Sequence, residues 1–510
     1  MEKTTNHTTG CVNVTADMLP AEMSGYSILT QATDDRGCIY LLTRKGTDKK
    51  LVITAHEGIS LPYGFEGKKA WPGAIRFLIC DLTAANAAAI RLALPFTRPV
   101  LLGKQNSFGF GDRLGNAGSA HLRSLRSSGF LPVLAQQSIR ELDRTGRTAL
   151  EVMDAATWAV FQENYTAGFG ADADHLKTFK DIDRMMEAGY TMYTIDPSDY
   201  VDNRVVDMDE PALAEAFDGL PWDQLGDTPF SFLRRYAGVT FRLQNGITLQ
   251  PTRPDIMKAA VKYGRVILHT LQMYRYLKDT YPNADSEVEL SVDETPYPTT
   301  PEEHLVIASE LKRLHVEFVS LAPRFCGEFE KGIDFKGSIK EFQQEYKLHQ
   351  SIAAAYGEYK LSIHSGSDKF RVYEAIGSLG LGTVHIKTAG TSYLEALRAV
   401  ALTDPGLLRN VLAFSLQRFD TDRKTYHISA ESGKIARPDS ISDADLAGLL
   451  DDDNARQVFH VTYGSVLTAK TPEGDFLFRD RFMSVLAENE TVYENCLYRH
   501  FRRHIKPFER

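Results

Sequence analysis

Acids and imidazoles recur in this sequence just beyond short apolar runs, where a strand end can fix a side chain and still leave it open to solvent. After the run Tyr165–Gly170 comes Ala171-Asp172-Ala173-Asp174-His175-Leu176-Lys177, with a carboxylate and an imidazole side by side at Asp174 and His175. One could accept a proton and the other could hold a divalent metal. The structural alternative is a helix start, with Asp172 or Asp174 as N-cap. After Val288–Val292 comes Asp293-Glu294-Thr295-Pro296, an acidic pair stopped by proline. It suits metal binding or acid/base work, or else an Asx-type turn ahead of the Thr300-Pro301-Glu302-Glu303 helix start.

Further along, Arg324 could hold a carboxylate with its planar fork, and Glu328 or Glu330 could reach a metal, although Glu-Phe-Glu equally suits an exposed loop. His364 follows the apolar Leu361–Ile363 and precedes Ser365-Gly366-Ser367, which favours a ligand over a satisfied core histidine. His385 lies inside its own apolar run and reads as structural. Lys387-Thr388-Ala389-Gly390-Thr391-Ser392 leads into a helix whose first amides could cradle an anion.

These residues need elements that bring them to one place. Strand signals alternate with helices of ten to fifteen residues from about residue 75, the pattern of parallel βα units. Eight runs stand out: Val100–Gly103, Pro132–Ala135, Tyr165–Gly170, Met192–Ile195, Val288–Val292, Glu317–Leu321, Lys360–Ile363 and Thr383–Ile386. The expectation is an α/β fold, a (β/α)8 TIM-like barrel over residues 71–400, with an open doubly wound sheet as the alternative. Residues 1–70, with Cys38–Leu42 and Leu51–Thr54 about a polar turn, read as a small β-rich cap. Residues 202–252 read as an insertion between strands 4 and 5, followed by a crossover helix over Arg253–Tyr281. Residues 401–510 read as a mainly helical extension, including the basic, aromatic Tyr498–His504.

Composition narrows the function. The chain has 510 residues, 43% hydrophobic and 25% charged, which is enough for a sizeable core. A net charge of −9 argues against nucleic acid as a partner. Five scattered cysteines without CxxC spacing favour a reducing cytoplasm over a disulfide framework. Met1–Asn6 begins no apolar leader and no run approaches a membrane span, so export and membrane association are not expected. Gly109-Phe110-Gly111-Asp112-Arg113-Leu114-Gly115 has the wrong spacing for a dinucleotide loop, and GxSxG, Walker and HExxH motifs are absent.

Several long segments in order carry a resemblance: Gly103-Lys104-Gln105-Asn106-Ser107-Phe108-Gly109, Gln136-Gln137-Ser138-Ile139-Arg140, Ala173-Asp174-His175-Leu176-Lys177, Gly327-Glu328-Phe329-Glu330-Lys331-Gly332 and Ile363-His364-Ser365-Gly366-Ser367-Asp368-Lys369. In these the chain resembles the tagaturonate/fructuronate epimerase family. The resemblance implies a divalent-cation-dependent epimerase (Zn, Mn, Ni or Co) acting on a keto-uronate. The inverted carbon is β to the ketone, so simple enolisation does not make its C–H acidic, and retro-aldol cleavage with re-addition is the expected route. By resemblance, Asp174 is the proton acceptor and Glu294 its acid partner. His175, His364 and Glu330 hold the metal, and Ser138, Thr194, Arg324 and Lys387 face the sugar hydroxyls and carboxylate. A homo-oligomer is compatible with this reading. Rival expectations are a metal-dependent sugar-acid aldolase or aldose–ketose isomerase and, from another class, a non-catalytic sugar-binding protein.

Overall fold

The computed structural model describes residues 13–55, 58–71 and 75–509. Cys11 and the stretch Met1–Asn6 lie outside the described residues. By packing, the chain divides into two units, Met1–Arg98 with Thr157–Thr166, and Pro99–Ala156 with Ala167–Arg510. No helix among the described residues is long and apolar enough to cross a membrane.

The first unit is built on five antiparallel strands, β1 (Ser27–Thr33), β2 (Cys38–Lys45), β3 (Asp48–Ala55), β4 (Lys68–Ala70) and β5 (Arg76–Cys80), in the order β1-β2-β3-β5-β4. A tight turn joins β2 to β3 at the pair Lys45↔Asp48, with Gly46 in the left-handed region that glycine adopts without strain. Alternation along β2 serves two faces. Cys38, Tyr40 and Leu42 pack with Leu51, Ile53, Ile90 and Phe161, whereas Ile39 and Leu41 pack with Val52 and Phe77. Both faces are therefore buried, as near-continuous apolar strands require.

The second unit contains the expected (β/α)8 barrel. Strands β6 (Ser107–Phe110), β7 (Leu131–Ser138), β8 (Gly170–Leu176) and β9 (Met192–Ile195) lead into an insertion with the short hairpin β10 (Phe241–Arg242) and β11 (Thr248–Leu249). Four more strands follow, β12 (Glu287–Ser291), β13 (Ser320–Ala322), β14 (Lys360–Ile363) and β15 (Val384–Thr388). The eight strands β6 to β9 and β12 to β15 close in sequence order, every neighbouring pair parallel. The helix Arg253–Thr280 crosses back to β12. Its start is fixed by Pro254 in the first turn and by a reciprocal pair of hydrogen bonds between Thr252 and Asp255.

Two strand assignments need correction. The first barrel strand is β6, not Val100–Gly103. Val100 and Leu101 are largely exposed, and the amides of Leu102 and Gly103 are capped by the Glu287 carboxylate at 3.3 and 2.7 Å. The sequence Ser-Phe-Gly-Phe hides a strand because glycine weakens the signal, yet a Cβ on Gly109 would run into the Gln136 side chain. The third strand is β8, which shares only Gly170 with Tyr165–Gly170, so Asp172 and Asp174 belong to the strand and cap no helix. The following helix, Phe179–Glu187, takes Thr178 as its N-cap.

Residues beyond β15 form helices, among them Thr391–Thr403, Pro405–Asp422, Asp453–Thr468 and Glu490–Ile505. The last is part of the barrel's core packing. Phe501 is fully buried, with its ring 5.0 Å from Phe110 and 6.2 Å from Phe108 of β6. The same helix ties the loop after β14. The Asp368 carboxylate meets Arg456 at 2.6 Å and also bonds His500, while the Asp368 amide donates to His504 Nε2 at 3.0 Å. Burial opposes a charge on His500, but Glu395 and Asp368 outweigh it and push its pKa up to about 9. Deleting the Phe501 ring should cost about 3–5 kcal/mol, so Phe501→Ala is expected to show that loss in denaturant unfolding followed by circular dichroism.

Candidate active site

The C-terminal ends of the barrel strands open into a cavity of about 520 Å³. This is the face on which barrels of this kind build their sites, because each strand end delivers a side chain while the following loop varies freely. Asp174 and His175 arrive from β8, Asp293 and Glu294 from the end of β12, His364 from β14 and Lys387 from β15.

Two consecutive residues of a regular strand point to opposite faces, yet Asp174 and His175 both line the cavity. The cause is local. Pairing of β8 with β9 shifts register between Ala173 and Leu176, and His175 takes φ +57°, a conformation that costs a non-glycine residue energy. The bulge turns His175 inward, where its Nδ1 lies 2.8 Å from Asp174 Oδ1.

At the cavity floor the Lys387 ammonium lies 2.7 Å from Asp172 Oδ2, 2.8 Å from Asp174 Oδ1 and 2.7 Å from Glu289 Oε1, and donates to Thr194 Oγ1 at 2.7 Å. Burial alone would strip its proton. The three carboxylates outweigh burial and hold the amine charged. His364 continues the network, with Nε2 2.7 Å from Glu289 Oε1 and Nδ1 3.2 Å from Asp293 Oδ1. Burial likewise opposes a charge on His175, but Asp174 and then Glu294 raise its pKa to about 10.

Asp174, His175 and His364 each offer a ligand atom within 4.8 Å of the other two. The second oxygen of Glu289, behind His364, is buried without a hydrogen-bond partner. Carboxylate and imidazole donors converging where acids predominate fit a divalent cation.

The structure brings together most of the residues singled out in the sequence. Ser138 lines the cavity, and its hydroxyl also caps the helix Ile139–Thr145. Arg324 lines it too, 3.5 Å from Glu328. Thr194 does not reach the cavity; it is fully buried below Lys387. Glu330 points elsewhere, which corrects its expected place beside His175 and His364. Its carboxylate accepts from the amide and hydroxyl of Ser429 at 2.8 and 2.7 Å, from Gln457 at 2.7 Å and from Lys336 at 3.1 Å. Four donors hold it there, three of them on Oε2.

The residues that went unassigned from sequence are of two kinds. Glu289 and Asp172 are acids within otherwise apolar strands, a visible signal of a buried charge needing a partner. Tyr426, His427 and His460 come from the helical extension and form one wall of the cavity. No motif marks them.

A closed β/α barrel with a cation-fitting cluster of acids and imidazoles at its C-terminal mouth defines an enzyme of the barrel class. The tagaturonate epimerase family model matches residues 29–508. A tagaturonate/fructuronate epimerase of Thermotoga maritima is 40% identical over 485 residues, covering 95% of this chain and 97% of that protein. Crystal structures of the fructuronate-tagaturonate epimerase of Cohnella laeviribosi also match at 36% identity and TM-score 0.88. The native form covers 96% of this chain and 97% of that one, and a glycerol complex 95% and 96%. The chain belongs to the tagaturonate epimerase family, carbohydrate epimerases of the isomerase class.

Removing the Lys387 ammonium would leave the buried Asp172 without a counter-charge and Asp174 and Glu289 with only their imidazole partners. Breaking a buried pair of this kind costs about 3–5 kcal/mol. Lys387→Met should therefore lower the unfolding free energy by at least that much in chemical denaturation.

Proposed function

We propose that this chain interconverts D-tagaturonate and D-fructuronate by retro-aldol cleavage and re-addition, with a divalent cation held by Asp174, His175 and His364. The observation that carries the reading is the convergence of those three donors beside a pair of acids, Asp293 and Glu294, in one cavity. Such a cation would supply Lewis-acid stabilisation of the negative charge that builds on the ketone oxygen.

Proton transfer falls to Asp293 and Glu294. Asp174 was expected to accept the proton, but its Oδ1 is already taken by Lys387 and His175, which makes it a better ligand than base. Glu294 stands 3.7 Å from His175 Nε2 and 3.4 Å from Arg140, with a third of its side chain open to solvent. Asp293 accepts from Ser291 Oγ at 2.6 Å and faces His364.

One acid removes the proton of the hydroxyl on the β-carbon. That oxygen's electron pair forms a carbonyl, the bond between the α- and β-carbons breaks, and its electrons pass into an enediolate over the α-carbon and the former ketone. The aldehyde fragment turns its other face, the α-carbon re-adds, and the proton, passed from the first acid to the second, is returned to the new hydroxyl. Atoms and electrons balance without an oxidant. The cavity holds both fragments, so reaction with water and escape are hindered. Ser138 and Arg324 remain on the lining to meet substrate oxygens, while Lys387 and Thr194 support the floor.

Protein loaded in turn with Zn²⁺, Mn²⁺, Ni²⁺ or Co²⁺ should convert fructuronate to tagaturonate in deuterated water, with no deuterium at the inverted carbon by NMR. Label at that carbon would replace cleavage by direct deprotonation, and accumulation of two fragments would favour the aldolase reading. Failure to interconvert with all four metals would end the proposal. His364→Ala should lose most of its bound cation by elemental analysis, whereas Glu330→Gln should retain the wild-type content.

A further inference from the structure

The cavity has a second electrostatic pole, opposite in sign to the cation cluster. Arg113, Arg140, Arg324 and Lys331 all line it, and their partners separate them. Arg113 is committed to Glu141 at 2.9 Å and stacks on Tyr463 at 3.5 Å. Arg140 faces Glu294 at 3.4 Å, and Arg324 faces Glu328 at 3.5 Å. Lys387 is surrounded by acids. Lys331 is different: its ammonium donates to Ser365 Oγ at 2.5 Å and has no carboxylate within ion-pair distance among the described residues. An ammonium withdrawn into a cavity without a counter-charge is unfavourable unless something arrives to meet it.

A second, independent observation lies beside it. His460 is 1% exposed, lines the same cavity, and its Nδ1 has no hydrogen-bond partner. A Cβ placed on Gly332, the residue after Lys331, would meet that Nδ1 at 3.5 Å. The backbone next to Lys331 therefore packs on the His460 ring, and both side chains line the same cavity. Together they offer two donors to one planar acceptor with two oxygens.

We infer that Lys331 and His460 form the subsite for the substrate's carboxylate, making them specificity-determining residues for a uronate. Lys331 supplies the counter-charge and His460, whose Nδ1 is sealed against Gly332 and Gly390, the second hydrogen bond through Nε2–H. The inference rests on the reading of the cavity as an epimerase site and adds its orientation. The ketone end turns to Asp174, His175 and His364, and the carboxylate end to the wall made by the loop after β13 and the helix Asp453–Thr468. Both elements are tied at that point, since Lys369 donates to the Glu330 carbonyl at 2.8 Å and Arg456 to that of Gly332 at 2.7 Å.

The test is Lys331→Met, with Lys331→Arg and His460→Phe beside it. Losing one member of a buried charge pair should raise KM for fructuronate about 10²-fold, with kcat changing less than about tenfold. Lys331→Arg should recover most of that KM. Because the substitution removes an uncompensated charge, the unliganded Lys331→Met protein should melt no lower than wild type, while the rise in Tm that fructuronate gives wild type should vanish. A purely structural lysine would not show that combination. His460→Phe should raise KM by a smaller factor. A KM rise below about threefold in Lys331→Met, or a loss confined to kcat, would overturn the assignment. Wild-type protein that is stabilised by fructuronate through Lys331 but does not turn it over would sink the epimerase reading and leave this subsite standing.

Discussion

The site depends on one buried ammonium. Lys387 reaches three carboxylates at 2.7–2.8 Å in a part of the barrel where each of the four groups is almost wholly removed from water. None of them is favourable alone. Acids clustered at that depth repel one another and prefer to bind protons. Asp172, whose counter-charge is the lysine alone, is pushed up to about 6. Asp174 and Glu289, which His175 and His364 also face, are held well below the usual range. The consequence reaches the cavity: Asp174 is fixed on one oxygen, and Glu289 is fixed against His364, whose other nitrogen faces Asp293. Orientation of the imidazoles is thus inherited from a charge network one layer below them.

Backbone strain follows the same logic. His175, Ser365 and Asp368 adopt positive φ without being glycine, and all three stand at or next to the cavity mouth. Each is held by more than its own preference: His175 by Asp174, Ser365 by Lys331, and Asp368 by Arg456, His500 and His504. Conformations that cost energy locally persist when several neighbours determine them. The helices beyond β15 supply many of those neighbours, so they hold the rim loops in place as well as covering the barrel.

Much of this was legible in the sequence where apolar runs were long and uninterrupted. Met192–Ile195 and Lys360–Ile363 show as strands because their side chains pack against both barrel and helices. The runs that failed were those broken by glycine or by buried acids. β6 is masked by Gly109, which the close approach of Gln136 requires, and β8 by Asp172 and Asp174, whose burial makes sense only once Lys387 is seen some two hundred residues away. Glu330 misled for a related reason. A glutamate in an alternating Glu-Phe-Glu loop can face either way, and its direction is set by Ser429 and Gln457 in the distant extension. His460, alone in a helix of ordinary composition, carried no signal at all.

The distribution of charge around the cavity also bears on how a small molecule would lie in it. Acids gather where the strands β8 and β12 end, and the basic side chains come from the segments after β6, β7 and β13. Had each base been paired within the wall, the cavity would present one demand, for a cation, and any polyol able to surround that cation would fit in several orientations. Most of the bases are paired: Arg113 by Glu141, Arg324 by Glu328 and Arg140 by Glu294. The one left over gives the cavity a direction. A ligand with an anionic group at one end and ketone and hydroxyl oxygens at the other can satisfy both poles only one way round. Fixing its ends in that way would leave the central carbons as the part free to rearrange.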